Sequence, residues 1–105
     1  MIVCKFGGTS VADAAAIGRV IDIIAAKLDR QPVVVVSALG GATNQLLDVA
    51  HKASQGELLA AVQIIEQLRE RHLREAAALL SGAPDADEVA HEIGVTFDEL
   101  AHLAE

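Results

Sequence analysis

The sequence predicts an α/β fold: two parallel strands in a β-α-β-α unit, followed by a helical segment. Three observations carry this reading. Two short apolar runs, MIVCKF and VVVV, each lead into a loop with a glycine pair. The stretch between them repeats apolar residues at helical spacing. Beyond residue 54 the pattern is helical throughout. Parallel neighbours need a crossover connection, and a right-handed one is the strong expectation.

The elements follow in order. Residues 1–6 read as a strand, because Ile2, Val3 and Phe6 favour extended backbone and a glycine pair ends the run. Gly7-Gly8-Thr9-Ser10 is a turn, and Ser10 with Asp13 reads as a helix cap with an acid in the first turn. A helix over 11–28 follows, with Ala14, Ile17, Ile21, Ile24 and Leu28 on one stripe. Pro32 closes that connection, and Val33–Val36 suits a strand covered on both faces. Ser37 to Ala42 forms a second glycine loop, and Thr43 or Asn44 starts the next helix. Ser54 and Glu57 form a capping-box pattern ahead of a helix over about 57–80, whose buried stripe is Val62, Ile65, Leu68 and Leu79. Gly82-Ala83-Pro84 breaks it. A further helix from Asp85 is interrupted at Gly94, and Thr96 with Glu99 caps a last one. Residues 1–54 thus hold the β-α-β-α unit with both loops, and 55–105 the helical segment.

Composition excludes several functions. The chain has 105 residues, 52% of them hydrophobic, so it can bury a core. It carries 15 acids against 8 Lys plus Arg, and its aromatics are Phe6 and Phe97. That balance argues against nucleic-acid binding, which calls for basic patches and stacking platforms. The net charge of -7 arises wholly after Pro84, where seven acids stand with no Lys or Arg. A solvated helical face accounts for that run. No apolar stretch is long enough to span a membrane and no signal-peptide pattern is visible, so a cytoplasmic location is the expectation. A lone Cys4 cannot make an internal disulfide, and it reads as a buried, inert thiol on the face opposite Lys5. His51, His72, His91 and His102 lack metal-ligand spacing. Arg69, Arg71 and Arg74 among Glu66, Glu70 and Glu75 read as an exposed, ion-paired helix face.

The chemistry sits in the two glycine loops. Lys5-Phe6-Gly7-Gly8-Thr9-Ser10 places a lysine at a strand end before two glycines and a helix start. Such a loop lets phosphate oxygens approach backbone N–H groups, and the lysine supplies a mobile cation. The structural alternative is a tight turn that uses glycine for positive φ. Neither the P-loop pattern nor the dinucleotide fingerprint is present. The second loop, Ser37-Ala38-Leu39-Gly40-Gly41-Ala42-Thr43-Asn44, offers hydroxyl and N–H donors to a carboxylate. By itself it reads as capping of the following helix. In open α/β sheets ligands bind at the carboxyl ends of the strands, where both loops fall.

KFGGTS, then a helix, then VVVVSALGGATNQLL, resembles the start of the aspartate kinases, a branch of the amino acid kinase family. The resemblance is close over residues 1–50 and weak over 55–105. It implies a partial amino acid kinase fold and ATP-dependent phosphorylation of the β-carboxylate of L-aspartate, with Mg2+, on the route to lysine, threonine and methionine. It implies that Lys5 stabilises the transferring phosphoryl group and that Phe6, Gly7, Gly8, Thr9 and Ser10 form the ATP-phosphate loop. Ser37, Ala38 and Thr43 then correspond to residues around the bound amino acid. The family's Ser-x-Gly-Glu and Gly-Arg-Gly-Gly-Ser-Asp motifs, its nucleotide-base strands and its regulatory domains are absent. The expectation is an N-terminal fragment whose partners are the rest of the kinase domain and the regulatory domains, and which is incompetent alone. The competing reading is a non-catalytic binding or assembly module. A kinase for glutamate or acetylglutamate fits less well, since both loops are intact. Two strands make a marginal sheet, and the open edges predict self-association.

Overall fold

The computed structural model describes residues 1–105. Contacts divide the chain into two compact units, Met1–Gly41 and Ala42–Glu105.

The first unit is a β-α-β crossover. Strands β1 (Ile2–Phe6) and β2 (Pro32–Val36) pair in parallel, with Ile2 opposite Pro32 and Phe6 opposite Val36. The amide of Ser37 extends the ladder by donating to the Phe6 carbonyl at 3.0 Å. Between them lies helix α1 (Ala14–Ala25), followed by a 3-10 turn over Leu28–Arg30. The helix starts later than the sequence predicts, and its cap is Asp13 rather than Ser10. Asp13 is extended at φ -154°, and its Oδ1 accepts the Ala16 amide at 2.9 Å. Ser10 is unavailable for that role because its own N–H closes a turn onto the Gly7 carbonyl. At the other end Gln31 takes the left-handed conformation, φ 51°, directly before Pro32. Val11, Ala16 and Val20 form the buried part of this unit.

Strand alternation sorts the sheet's two faces. Ile2, Cys4 and Phe6 are half-buried, while Val3 and Lys5 are exposed. Cys4 is therefore a half-buried free thiol, less enclosed than the sequence predicts. The covered valine strand is also corrected. Val33 to Val36 keep between 39% and 56% of their surface exposed. Val3, Val33 and Val35, which share one face, are all exposed.

The second unit is three packed helices, α2 (Ala42–Ser54), α3 (Leu58–Leu79) and α4 (Ala86–Ala104). Helix α3, about 33 Å long at 1.5 Å per residue, lies against both others. Its stripe matches expectation at Ile65 and Leu68, which are buried; Val62 and Leu79 are half-buried, and Ala61, not among the expected residues, is buried too. The capping box at Ser54 and Glu57 does not form. Instead α2 ends in a Schellman motif, with Gly56 at φ +75°, its N–H on the Ala53 carbonyl and the Glu57 N–H on the Lys52 carbonyl. The Glu57 amide is thereby consumed, and the Ser54 hydroxyl donates back to the His51 carbonyl at 2.7 Å.

Helix α4 runs unbroken through Gly94 and Thr96, contrary to the predicted interruption. A mid-helix glycine costs only about 1 kcal/mol relative to alanine, and tertiary contacts outweigh it here. Phe97 is buried and its ring meets His72 at 5.1 Å. The Thr96 hydroxyl bonds the Glu92 carbonyl within the helix rather than capping a new one. Arg69 of α3 reaches across, donating from Nη1 to the Gly94 carbonyl at 3.3 Å and from Nη2 to Asp98. The Asp98 hydrogen bond raises the guanidinium's pKa above its ordinary value, against desolvation, with Glu66 adding a smaller attraction. Arg69 is thus a half-buried strut between two helices, not a member of a solvated face.

Candidate functional site

The two glycine loops meet in the first unit. The first leaves β1 at Phe6 and the second leaves β2 at Val36, both at carboxyl ends of parallel strands. Their closeness is measured at the glycines. A Cβ added at Gly40 would stand 3.3 Å from both the Ala12 Cβ and the Gly8 carbonyl oxygen. A Cβ at Gly8 would stand 3.5 Å from the Ser37 Oγ and 3.7 Å from the Gly40 Cα. Gly40 is therefore required for packing. Gly41 is required for its backbone, at φ +80°.

Gly7 is different. Its φ lies outside the left-handed region, and an added Cβ would meet nothing within 4 Å. Gly8 also avoids positive φ. The turn over Gly7–Ser10 therefore does not need its glycines for backbone conformation, which removes the structural alternative offered by the sequence. The N–H groups of Gly7, Gly8 and Thr9 take no backbone partner, whereas that of Ser10 is committed to Gly7.

Lys5 sits opposite Val35 on the open face of the sheet, one residue before the end of β1. It is exposed, and the ion pairs of the chain lie elsewhere. Phe6 faces the other way and lines a cleft with Ala16 and Val20 of α1. Thr9 and Ser10 are exposed at the mouth of that cleft. Ser37 and Ala38 are exposed, and the Ser37 hydroxyl donates to the Ala38 carbonyl at 2.8 Å. The structure thus brings Lys5–Ser10 together with Ser37 and Ala38. Thr43 belongs to the second unit, where it is the second residue of α2 rather than its cap. Arg19, in the second turn of α1, also lines the cleft beside Thr9 and Ser10. The sequence held no signal for it, because a lone arginine on an amphipathic helix reads as solvated.

Chemically, the first loop presents free backbone donors and one unpaired ammonium. That set suits an anion rather than a cation, since the loop itself carries no carboxylate. No helix is long and apolar enough to cross a membrane.

A family model described as the amino acid kinase family matches residues 1–104. The chain is 38% identical over 100 residues to bifunctional aspartokinase/homoserine dehydrogenase 2 of Escherichia coli (strain K12), covering 95% of this chain and 12% of that protein. It is 41% identical over 96 residues to the chloroplastic aspartokinase 2 of Arabidopsis thaliana, covering 89% of the chain and 15% of the relative. An aspartokinase of Chlamydia trachomatis is 44% identical over 71 residues, covering 68% and 15%. The chain thus spans only 12% to 15% of the length of these curated relatives. With nearly its whole length matched and both glycine loops placed at the carboxyl ends of parallel strands, the chain belongs to the amino acid kinase family.

Proposed function

We propose that this chain is the N-terminal part of an aspartate kinase, and that its first loop receives the phosphates of ATP. The observation that carries the reading is Gly7. A glycine that neither the backbone nor the packing requires, beside free N–H groups, suits a surface that a ligand approaches closely. The aspartokinase relatives support the acceptor, the β-carboxylate of L-aspartate.

In this reading the residues divide the work as phosphoryl transfer requires, which is positioning and charge stabilisation more than covalent chemistry. The N–H groups of Gly7, Gly8 and Thr9 hold phosphate oxygens. Lys5 follows the charge on the transferring group. Phe6 anchors the loop to α1, and Ser10 closes its turn. Ser37, Ala38 and Thr43 border the amino acid. Magnesium is assigned to the phosphates of ATP, because the loop's donors fit oxygen atoms and not a cation. Both units then belong to one kinase domain, whose other parts complete the site. The chain alone turns nothing over.

The exposed valines of β2 favour a role in assembly alongside this one. They suit burial against further kinase-domain strands or, failing those, a second copy of the chain.

The test is an amide NMR titration with magnesium-ATP and then aspartate, beside an ADP-release assay. Shifts at Gly7, Gly8 and Thr9 that vanish in Lys5→Gln are expected, with no aspartate-dependent turnover. Silence at Gly7, Gly8 and Thr9 on adding magnesium-ATP, or aspartate-dependent turnover at ordinary enzyme rates, would overturn the reading.

A further inference from the structure

We propose that the cleft between β1 and α1 is a second oxyanion site, built on Arg19 with the hydroxyls of Thr9 and Ser10. Its floor is Phe6, Ala16, Val20 and Ile23. The space is about 320 Å³, at the small end of the roughly 300–1,000 Å³ of small-molecule pockets.

Three exposed polar side chains, Thr9, Ser10 and Arg19, line it. The ion pairs of Lys52, Arg69 and His102 do not engage Arg19. The hydroxyls of Ser37, Ser54 and Thr96 are each committed to a backbone carbonyl, whereas Thr9 and Ser10 stand exposed. A planar guanidinium fork flanked by two hydroxyls recognises the oxygens of a phosphate or carboxylate. The apolar floor adds a requirement. The ligand carries a short aliphatic or aromatic body behind its anionic head, and burying that body against Phe6, Val20 and Ile23 contributes to affinity.

This site has a different cation from the one assigned to Lys5, and as donors the two share only Thr9, by its hydroxyl here and its N–H there. Phe6 lines the cleft, and alternation along β1 puts Lys5 on the opposite face. The loop therefore has two sides, each with its own cation. Neither nearby acid is among the cleft's walls: Asp22 lies three residues beyond Arg19 on α1, and Asp13 has one carboxylate oxygen committed to the Ala16 amide.

The experiment is an amide and arginine side-chain NMR titration of the 105-residue chain with phenyl phosphate, benzoate and inorganic phosphate. The expected order is phenyl phosphate above benzoate, with inorganic phosphate weakest because it leaves the floor empty. Shifts should map to Thr9, Ser10, Arg19 and Val20. Arg19→Gln should weaken phenyl phosphate about fivefold, the upper range for one exposed ion pair. Arg19→Lys should recover part of that loss, keeping charge without the fork. Lys5→Gln should leave these shifts in place. Arg19 is exposed, so its variants keep the wild-type spectrum elsewhere. Binding that survives Arg19→Gln, or no response to any of the three probes, overturns the proposal. Shifts at Gly7 and Gly8 that Lys5→Gln alone removes would overturn it too, while leaving the ATP-loop reading intact. Loss of the ATP response with the Arg19-dependent shifts retained would sink the ATP-loop reading and leave this one standing.

Discussion

Gly7→Ala separates stability from ligand binding more sharply than any other substitution in this chain. The new methyl would meet no atom within 4 Å, and the backbone is not in the left-handed region. The folded state therefore accepts it, while the unfolded chain loses conformational freedom. The expected effect is a gain of about 0.4–1 kcal/mol, or roughly 2–8 °C in Tm for a domain of this size. The same methyl intrudes where phosphate oxygens are proposed to approach. Overpacking of that kind costs about 1–3 kcal/mol, so affinity for magnesium-ATP should fall about fivefold or more. Urea denaturation reads the first quantity and the amide titration the second. Two neighbours calibrate the series. Gly8→Ala, with its nearest contact at 3.5 Å, should be close to neutral in stability. Gly40→Ala, forced to 3.3 Å from the Gly8 carbonyl and the Ala12 Cβ, should lose about 1–3 kcal/mol. A Gly7→Ala protein that is destabilised, or that answers ATP as the wild type does, would refute the reasoning.

Asp13→Ala removes the side-chain cap of α1 and should cost about 1 kcal/mol, whereas Asp13→Asn should largely retain it, both read by urea denaturation. A double-mutant cycle on Arg69 and Asp98 should give a coupling of about 0.5–1 kcal/mol that shrinks with added salt; zero coupling would mean the pair is held by packing alone. Gly94→Ala should stabilise α4 by up to about 1 kcal/mol, since its Cβ would come no nearer than 3.9 Å to Arg69; a loss would show that the guanidinium cannot yield. Sedimentation at micromolar concentration should show association of the wild-type chain and reduced association of Val35→Lys, which puts a charge on the open face; a compact wild-type monomer would count against sheet-mediated pairing.

Most of the element order was legible because it rests on patterns that local chemistry decides. The valine run, the two glycine pairs and the spacing of Ile65 and Leu68 needed no tertiary information. The errors fell where two local solutions compete. Ser10 and Asp13 both qualify as caps, and a turn onto Gly7 removed Ser10 from the contest. Ser54 and Glu57 spell a capping box, yet Gly56 between them closes the preceding helix first. Gly94 and Thr96 spell a break, but Arg69 and the burial of Phe97 carry the helix across it. The loops carrying Lys5–Ser10 and Ser37 could be placed at strand ends from the sequence. Their mutual approach at Gly8 and Gly40 could not, because it depends on the register of β1 against β2. The cover expected over Val33–Val36 failed for a different reason. The strand's composition suits a full sheet, while the chain supplies a single neighbour.

That single pairing leaves a mark that solvent itself can read. Each strand of a two-stranded parallel ladder directs alternate N–H groups to its neighbour and the others outward. Slow and fast amide exchange should then alternate along the five residues of β1 and along Val33–Val36 of β2, Pro32 having no N–H. Any chain that adds a strand beside either edge would slow the fast set and leave the slow set as it was. The strands thus report, residue by residue, which edge a newcomer has joined.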